Sequence, residues 1–211
     1  KYKMTKVSDR INRLSESATL AMARMSRELK AEGKDVIALS LGEPDFNTPE
    51  FIKDAAKQAI DNNFSHYTPV PGLLELRKSI CTKFKRDNNL NFTSDQIVVS
   101  TGAKQSITNV CLSLLNEGDE VLLPIPYWVS YTDIVKLSEG TPVFIPSTIE
   151  SDFKVSANEI EKHITKKTKL LMFSSPCNPS GTVYTQTELE DIARMLEKYP
   201  DIYIIADEIY E

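Results

Sequence analysis

Cysteine, histidine and tryptophan are all scarce in this chain of 211 residues, and each scarcity removes a class of function. The three cysteines, Cys81, Cys111 and Cys177, are odd in number and include no Cys-x-x-Cys pair. That excludes a disulfide framework and points to a reducing, cytoplasmic setting. The two histidines, His66 and His163, stand in unrelated contexts, and no metal is expected. Cys177 has no histidine near it in sequence, which argues against a cysteine nucleophile. Apolar runs are too short to span a membrane. The start lacks the apolar core of a signal peptide. Low-complexity segments and internal repeats are missing. So is Gly-x-Gly-x-x-Gly, which removes the nicotinamide dehydrogenases. Acidic residues outnumber basic ones by 30 to 25, a formal charge of −5. That argues against a nucleic-acid surface but leaves room for a small acidic substrate held by one local cation.

What is present reads as α/β. Hydrophobic residues at 41% and charged residues at 26% are ordinary for a globular protein. The length suits one large core, or one domain and part of another. Residues 1–16 read as a polar leading arm. Ala18, Met22, Met25 and Leu29 then recur at helical spacing, with Gly33 placed to stop the helix. Gly42-Glu-Pro-Asp-Phe is a turn, and Thr48 with Pro49 suits an N-cap and first helical position. Ile52, Ala55, Ala56, Ala59 and Ile60 keep one face of that helix apolar. After the irregular His66-Tyr-Thr-Pro-Val-Pro-Gly, a helix over 73–86 turns Leu76, Ile80 and Phe84 inward.

A strand is predicted at 97–100. The helix after it carries Ile107, Val110, Cys111, Leu114 and Leu115 on one face and is stopped by Gly118. Strands follow at 120–123 and 141–145, with a short helix over 130–137 between them. Ser156 with Glu159, and Thr185 with Glu188, form capping-box pairs. The second of these opens a helix that packs through Leu189, Ile192, Ala193 and Leu196. Residues 170–173 and 203–206 are apolar without alternation, the pattern of strands buried on both faces of a parallel sheet. The alternation of strand and helix gives a mainly parallel sheet with helices on both faces.

Several strand ends carry chemistry. Ser100-Thr-Gly-Ala-Lys joins a strand to a helix N-terminus, where free N–H groups and the helix dipole suit a phosphate. Gly102 allows close approach, and Thr101 and Lys104 can add a hydroxyl and a charge. The same pattern also serves a plain capped helix. Trp128, the single tryptophan, lies in a Pro-rich loop after a strand. It can stack on an aromatic ligand or simply anchor the loop. Asp207 follows the last strand, either as a helix-start partner or as a charge aimed at a ligand. Ser174-Ser-Pro-Cys-Asn-Pro-Ser-Gly-Thr follows a neighbouring strand and would bring Asn178 to the same crevice. A phosphate seat, an aromatic lid, an amide, a carboxylate and the Tyr210 phenol together suit pyridoxal phosphate. Its ring withdraws electrons only while the pyridine nitrogen holds a proton.

Six segments in this order resemble the class I/II aminotransferases, fold type I of the pyridoxal-phosphate enzymes, and most of all bacterial-type aspartate aminotransferases. They are Gly42-Glu-Pro-Asp-Phe, Tyr67-Thr-Pro, Ser100-Thr-Gly-Ala-Lys-Gln, Pro126-Tyr-Trp, Asn178-Pro-Ser-Gly and Asp207-Glu-Ile-Tyr. The resemblance implies that Asp207 pairs with the pyridine nitrogen, and that Asn178 and Tyr210 contact the phenolic oxygen. It places Asn178 also at the substrate's α-carboxylate and Trp128 on the ring and in the substrate site. Gly102, Ala103 and Lys104 would surround the phosphate, Lys104 would also serve the substrate's distal carboxylate, and the Gly42 backbone would lie against the substrate. Tyr67 would reach the cofactor of the partner subunit in a homodimer.

The implied reaction moves an amino group from aspartate or glutamate to a 2-oxo acid. An aromatic or prephenate aminotransferase, or a non-catalytic pyridoxal-phosphate sensor domain, is the alternative. The resemblance assigns 1–45 to an arm and part of a small domain, and 46–211 to an incomplete cofactor-binding large domain. The family's Schiff-base lysine follows the Asp-x-x-Tyr segment. The expectation is therefore an N-terminal part of a longer enzyme, inactive alone.

Overall fold

A computed structural model describes residues 7–210; the first six residues of the predicted arm, and Glu211, lie outside them. In chain order the elements are α1 (Asp9–Asn12), α2 (Ala18–Ala31), α3 (Glu50–Asp61), α4 (Leu74–Asn88), α5 (Ala103–Leu114), β1 (Glu120–Pro124), α6 (Ser130–Leu137), β2 (Thr141–Ile145), α7 (Ala157–Lys162), β3 (Thr168–Ser174), α8 (Gln186–Leu196) and β4 (Tyr203–Asp207). The four strands form one parallel sheet in the order β2-β1-β3-β4.

Strand geometry splits the core in two, because successive side chains point to opposite faces. Val121, Leu123, Leu170 and Met172 face α5 and α6, where Ile107, Cys111, Tyr131 and Val135 meet them. Leu122 and Leu171 face the other way, against Ile160, Ile192 and Leu196. Both layers are buried, so β1 and β3 read as largely apolar runs. Burial pushes the Cys111 thiol up to about 11. Alkylation of the native protein near pH 8 is therefore expected to spare Cys111 and to reach it only after denaturation. Mass mapping of the labelled peptides checks this.

Capping residues set the helix starts. Thr185 and Glu188 make the full reciprocal box, whereas Ser156 only accepts from the Glu159 N–H. Helix α3 begins at Glu50 with Pro49 as its N-cap, one position later than predicted, and Thr48 caps nothing.

Four expectations are corrected. Residues 97–100 are not a strand: no strand lies alongside them among the described residues, Val98 is 66% exposed, and Val99 N–H bonds only a turn carbonyl, that of Pro71. Strand β4 is not buried on both faces, since it pairs on one side with β3 alone and leaves Tyr203 and Ile204 about half exposed. On α4 the inward residue is Arg77, not Leu76. On α8, Met195 is buried in place of Ala193 and Leu189. The apolar stripes of α2 and α3 form as read, yet Met22, Met25, Ile52 and Ile60 stay exposed. No helix among the described residues is long and apolar enough to cross a membrane.

Candidate active site

The parallel register aligns the carboxyl ends of β3 and β4, with Ser174 opposite Asp207. Ligands of open α/β sheets sit at this edge. Beyond β3 the chain turns tightly: Gly181 N–H bonds Cys177 O at 2.7 Å and Cys177 N–H bonds Thr182 O at 2.9 Å. That loop holds Asn178, whose Nδ2 donates to the Tyr210 hydroxyl at 3.2 Å. Tyr210 stands three residues past Asp207, so the two strand ends are linked by side chains as well as by the ladder. Cys177 Sγ points at Pro126 O, 3.4 Å away, and takes no part in this cluster.

Asp207 is held from below. Tyr131 is fully buried on α6, and its hydroxyl donates to Asp207 Oδ2 at 2.7 Å. Burial, and then the carboxylate acceptor, push the Tyr131 phenol far above its ordinary range. Oδ1 carries no hydrogen bond from the described residues. The carboxylate is thus fixed by one oxygen and open at the other. Sequence reading did not bring Tyr131 to this cluster. Trp128 lies in the loop just before α6, so no helical spacing links the two in the sequence. Their rings meet edge to face at 5.6 Å.

The N-terminus of α5 forms the second half of the site. Gly102 is its N-cap with φ +90°, and a Cβ built there meets nothing within 4 Å. The first-turn N–H groups of Ala103 and Lys104 have no backbone acceptor. Thr101 does not extend its hydroxyl toward that space, because its N–H and Oγ1 both bond Gln105 Oε1 at 2.6 Å. The Lys104 ammonium lies over the Trp128 indole, 4.9 Å from the ring centre. This cation–π contact brings α5 and the 124–128 loop together. Ala103 and Asp207 line one cavity of about 410 Å³ between α5 and β4. Gly42 and Tyr67 lie apart, on exposed irregular segments.

A larger cavity, about 880 Å³, lies beside α8, away from these groups. Its cations are already matched: Lys154 with Glu188, Lys198 with Glu161 and Arg194 with Asp191. The described residues hold no cluster of three or more His, Cys, Asp or Glu that could bind a metal.

If Tyr131 fixes the Asp207 carboxylate, removing only its hydroxyl should slow the reaction without emptying the site. Tyr131→Phe in the whole protein is expected to lower turnover about tenfold, the equivalent of ~1.4 kcal/mol, with cofactor affinity little changed. Steady-state kinetics at saturating cofactor reads the effect.

The family model for aminotransferase class I and II matches residues 34–211. A probable aspartate/prephenate aminotransferase of Rickettsia felis is 50% identical over 208 residues, 99% of this chain and 51% of the relative. The aspartate/prephenate aminotransferase of Nitrosomonas europaea is 50% identical over 206 residues, 98% of this chain and 52% of its own. Among solved structures, an aspartate aminotransferase of Thermus thermophilus with maleate superposes with a TM-score of 0.94 at 39% identity, over 99% of this chain and 54% of that one. One from Rhizobium meliloti gives 0.92 at 40% identity, over 96% and 51%. The chain spans about half the length of the curated relatives it matches.

Proposed function

The chain belongs to the class I and II aminotransferases, and from that premise we propose that it is the cofactor-binding N-terminal part of a cytoplasmic, homodimeric enzyme that moves an amino group from aspartate or glutamate to a 2-oxo acid. Residues 46–211 would belong to the large domain, and 1–45 to an arm and part of the small one. The observation that carries the reading is the half-open Asp207 carboxylate, held by buried Tyr131 beside the Asn178–Tyr210 pair.

The residues present fit pyridoxal phosphate, the family's cofactor. The open space over Gly102 and the free first-turn N–H groups of α5 suit its phosphate. When bound, it supplies an electron sink that depends on a proton at its pyridine nitrogen. Asp207 would keep that proton in place, and Tyr131 would stop the carboxylate from turning away. Asn178 and Tyr210 already share a hydrogen bond and would converge on the phenolic oxygen. Trp128 would fix the ring plane and line the substrate site. Lys104, presented over Trp128, would meet either the phosphate or the substrate's distal carboxylate. Asn178 and the Gly42 backbone would hold the substrate, and Tyr67 would reach into the partner's site. Residues 1–211 alone would not transaminate, since the family's Schiff-base lysine follows the Asp-x-x-Tyr segment.

A second reading, prephenate as amino acceptor, has a specific support: the names of both half-identical relatives above. The test is amino transfer by the whole protein with added pyridoxal phosphate, from aspartate to 2-oxoglutarate and to prephenate. Cofactor-dependent transfer to 2-oxoglutarate is expected. Transfer to prephenate would extend the substrate range. A protein that binds the cofactor but transfers to neither acceptor would fit the sensor alternative instead.

A further inference from the structure

The turn after Tyr67 and the segment leading to the α5 N-terminus are fastened together by contacts that the proposed chemistry does not use. Among the described residues, Arg77 alone of the charged residues is buried. Its Nε donates to Gly72 O at 3.2 Å, and one of its terminal nitrogens donates to Ser94 O at 2.8 Å. Asp95 is 3.9 Å away, but its side chain is 94% exposed, so solvent screens the pair. The guanidinium therefore acts chiefly as a fork across two backbone carbonyls. One acceptor lies in the 69–72 turn. The other lies just before residues 97–102.

Two further contacts join the same pieces. Val99 N–H donates to Pro71 O at 3.0 Å. Gly72, at φ +98°, lets Val99 approach so closely that a Cβ on residue 72 would stand 2.8 Å from Val99 Cβ and Cγ2. Five residues upstream of Gly72, Tyr67 is fully exposed. Three residues downstream of Val99 is Gly102, the cap of α5. The linking segments are short, so the clamp fixes where each of them begins.

We infer that Arg77 is a positioning residue that locks the Tyr67 loop to the phosphate seat, so that one clamp places a seat for its own subunit and a tyrosine for its partner's. The inference rests on the shared-site reading above. A lysine could not replace this arginine, because one ammonium does not reproduce the spacing of a planar fork.

Hybrid dimers of the whole protein test it. One subunit carries Gly102→Val to close its own seat, so an absorbance titration with pyridoxal phosphate reads only the wild-type seat of the other. Adding Arg77→Met to the closed subunit is expected to weaken the wild-type seat about tenfold. Tyr67→Phe in the closed subunit should do the same. If Arg77→Met fails to fold, Gly72→Ala, which pushes the turn off Val99, is expected to give the same defect. An arginine that merely stabilised its own subunit would leave the partner's seat unchanged. Unchanged affinity with Arg77→Met and Gly72→Ala, but weakened affinity with Tyr67→Phe, would overturn the clamp and leave the shared site standing. No effect of Tyr67→Phe would overturn the shared site and the clamp with it.

Discussion

Asp207→Ala in the whole protein is expected to retain pyridoxal phosphate and to lose about a thousandfold in turnover, ~4 kcal/mol of barrier. The proposed phosphate seat is the α5 N-terminus, so the cofactor would not depend on Asp207 for its seat. What would depend on Asp207 in the proposed site is the ring proton, because a nearby carboxylate favours the charged form of a base. The substitution also strands the buried Tyr131 hydroxyl, which costs about 1–3 kcal/mol of stability. Asp207→Ala combined with Tyr131→Phe removes that penalty without restoring the charge. The double variant should melt closer to the wild type and remain as slow as Asp207→Ala. Turnover of Asp207→Ala near the wild-type value, measured at saturating cofactor, would remove Asp207 from the chemistry.

The other large effect is expected at the seat. Gly102→Val should weaken cofactor binding by about a hundredfold or more, ~2.7 kcal/mol. Two causes add. A branched side chain at φ +90° is strained. It also fills the open space over the first turn of α5, where a phosphate would meet the Ala103 and Lys104 N–H groups. Gly102→Ala adds one methyl group and should fall between the two. Absorbance titration of the whole protein reads all three affinities. Equal affinities would mean that the phosphate sits elsewhere.

Much of this architecture was legible because local signals and tertiary packing agree. Helix α6 and strand β2 have the bounds read from the sequence, since turn residues punctuate both ends and apolar residues fill the middle. What misled was burial by neighbours. Tyr203 and Ile204 read as two-faced core, but among the described residues β4 pairs on one side alone, which leaves them about half exposed. Residues 97–100 have strand composition and no ladder, and a strand exists only through its partner. Leu76 was placed inward on hydrophobicity, while the inward place went to Arg77, whose guanidinium satisfies two carbonyls.

The site divides in the same way. Asp207, Asn178 and Gly102 were visible as strand-end and helix-start residues. Tyr131 was not, because its bond to Asp207 joins positions 76 apart and no local pattern encodes it. Nor could spacing reveal that Gln105 occupies the Thr101 hydroxyl, or that Lys104 rests on Trp128.

The central claim is that Asp207 faces the cofactor's ring nitrogen. Nitrogen NMR of the whole protein loaded with pyridoxal phosphate labelled at that atom tests it most directly. The account predicts a protonated ring nitrogen in the wild type, and its loss in Asp207→Ala with the cofactor still bound. The same ring-nitrogen signal in both proteins would contradict it.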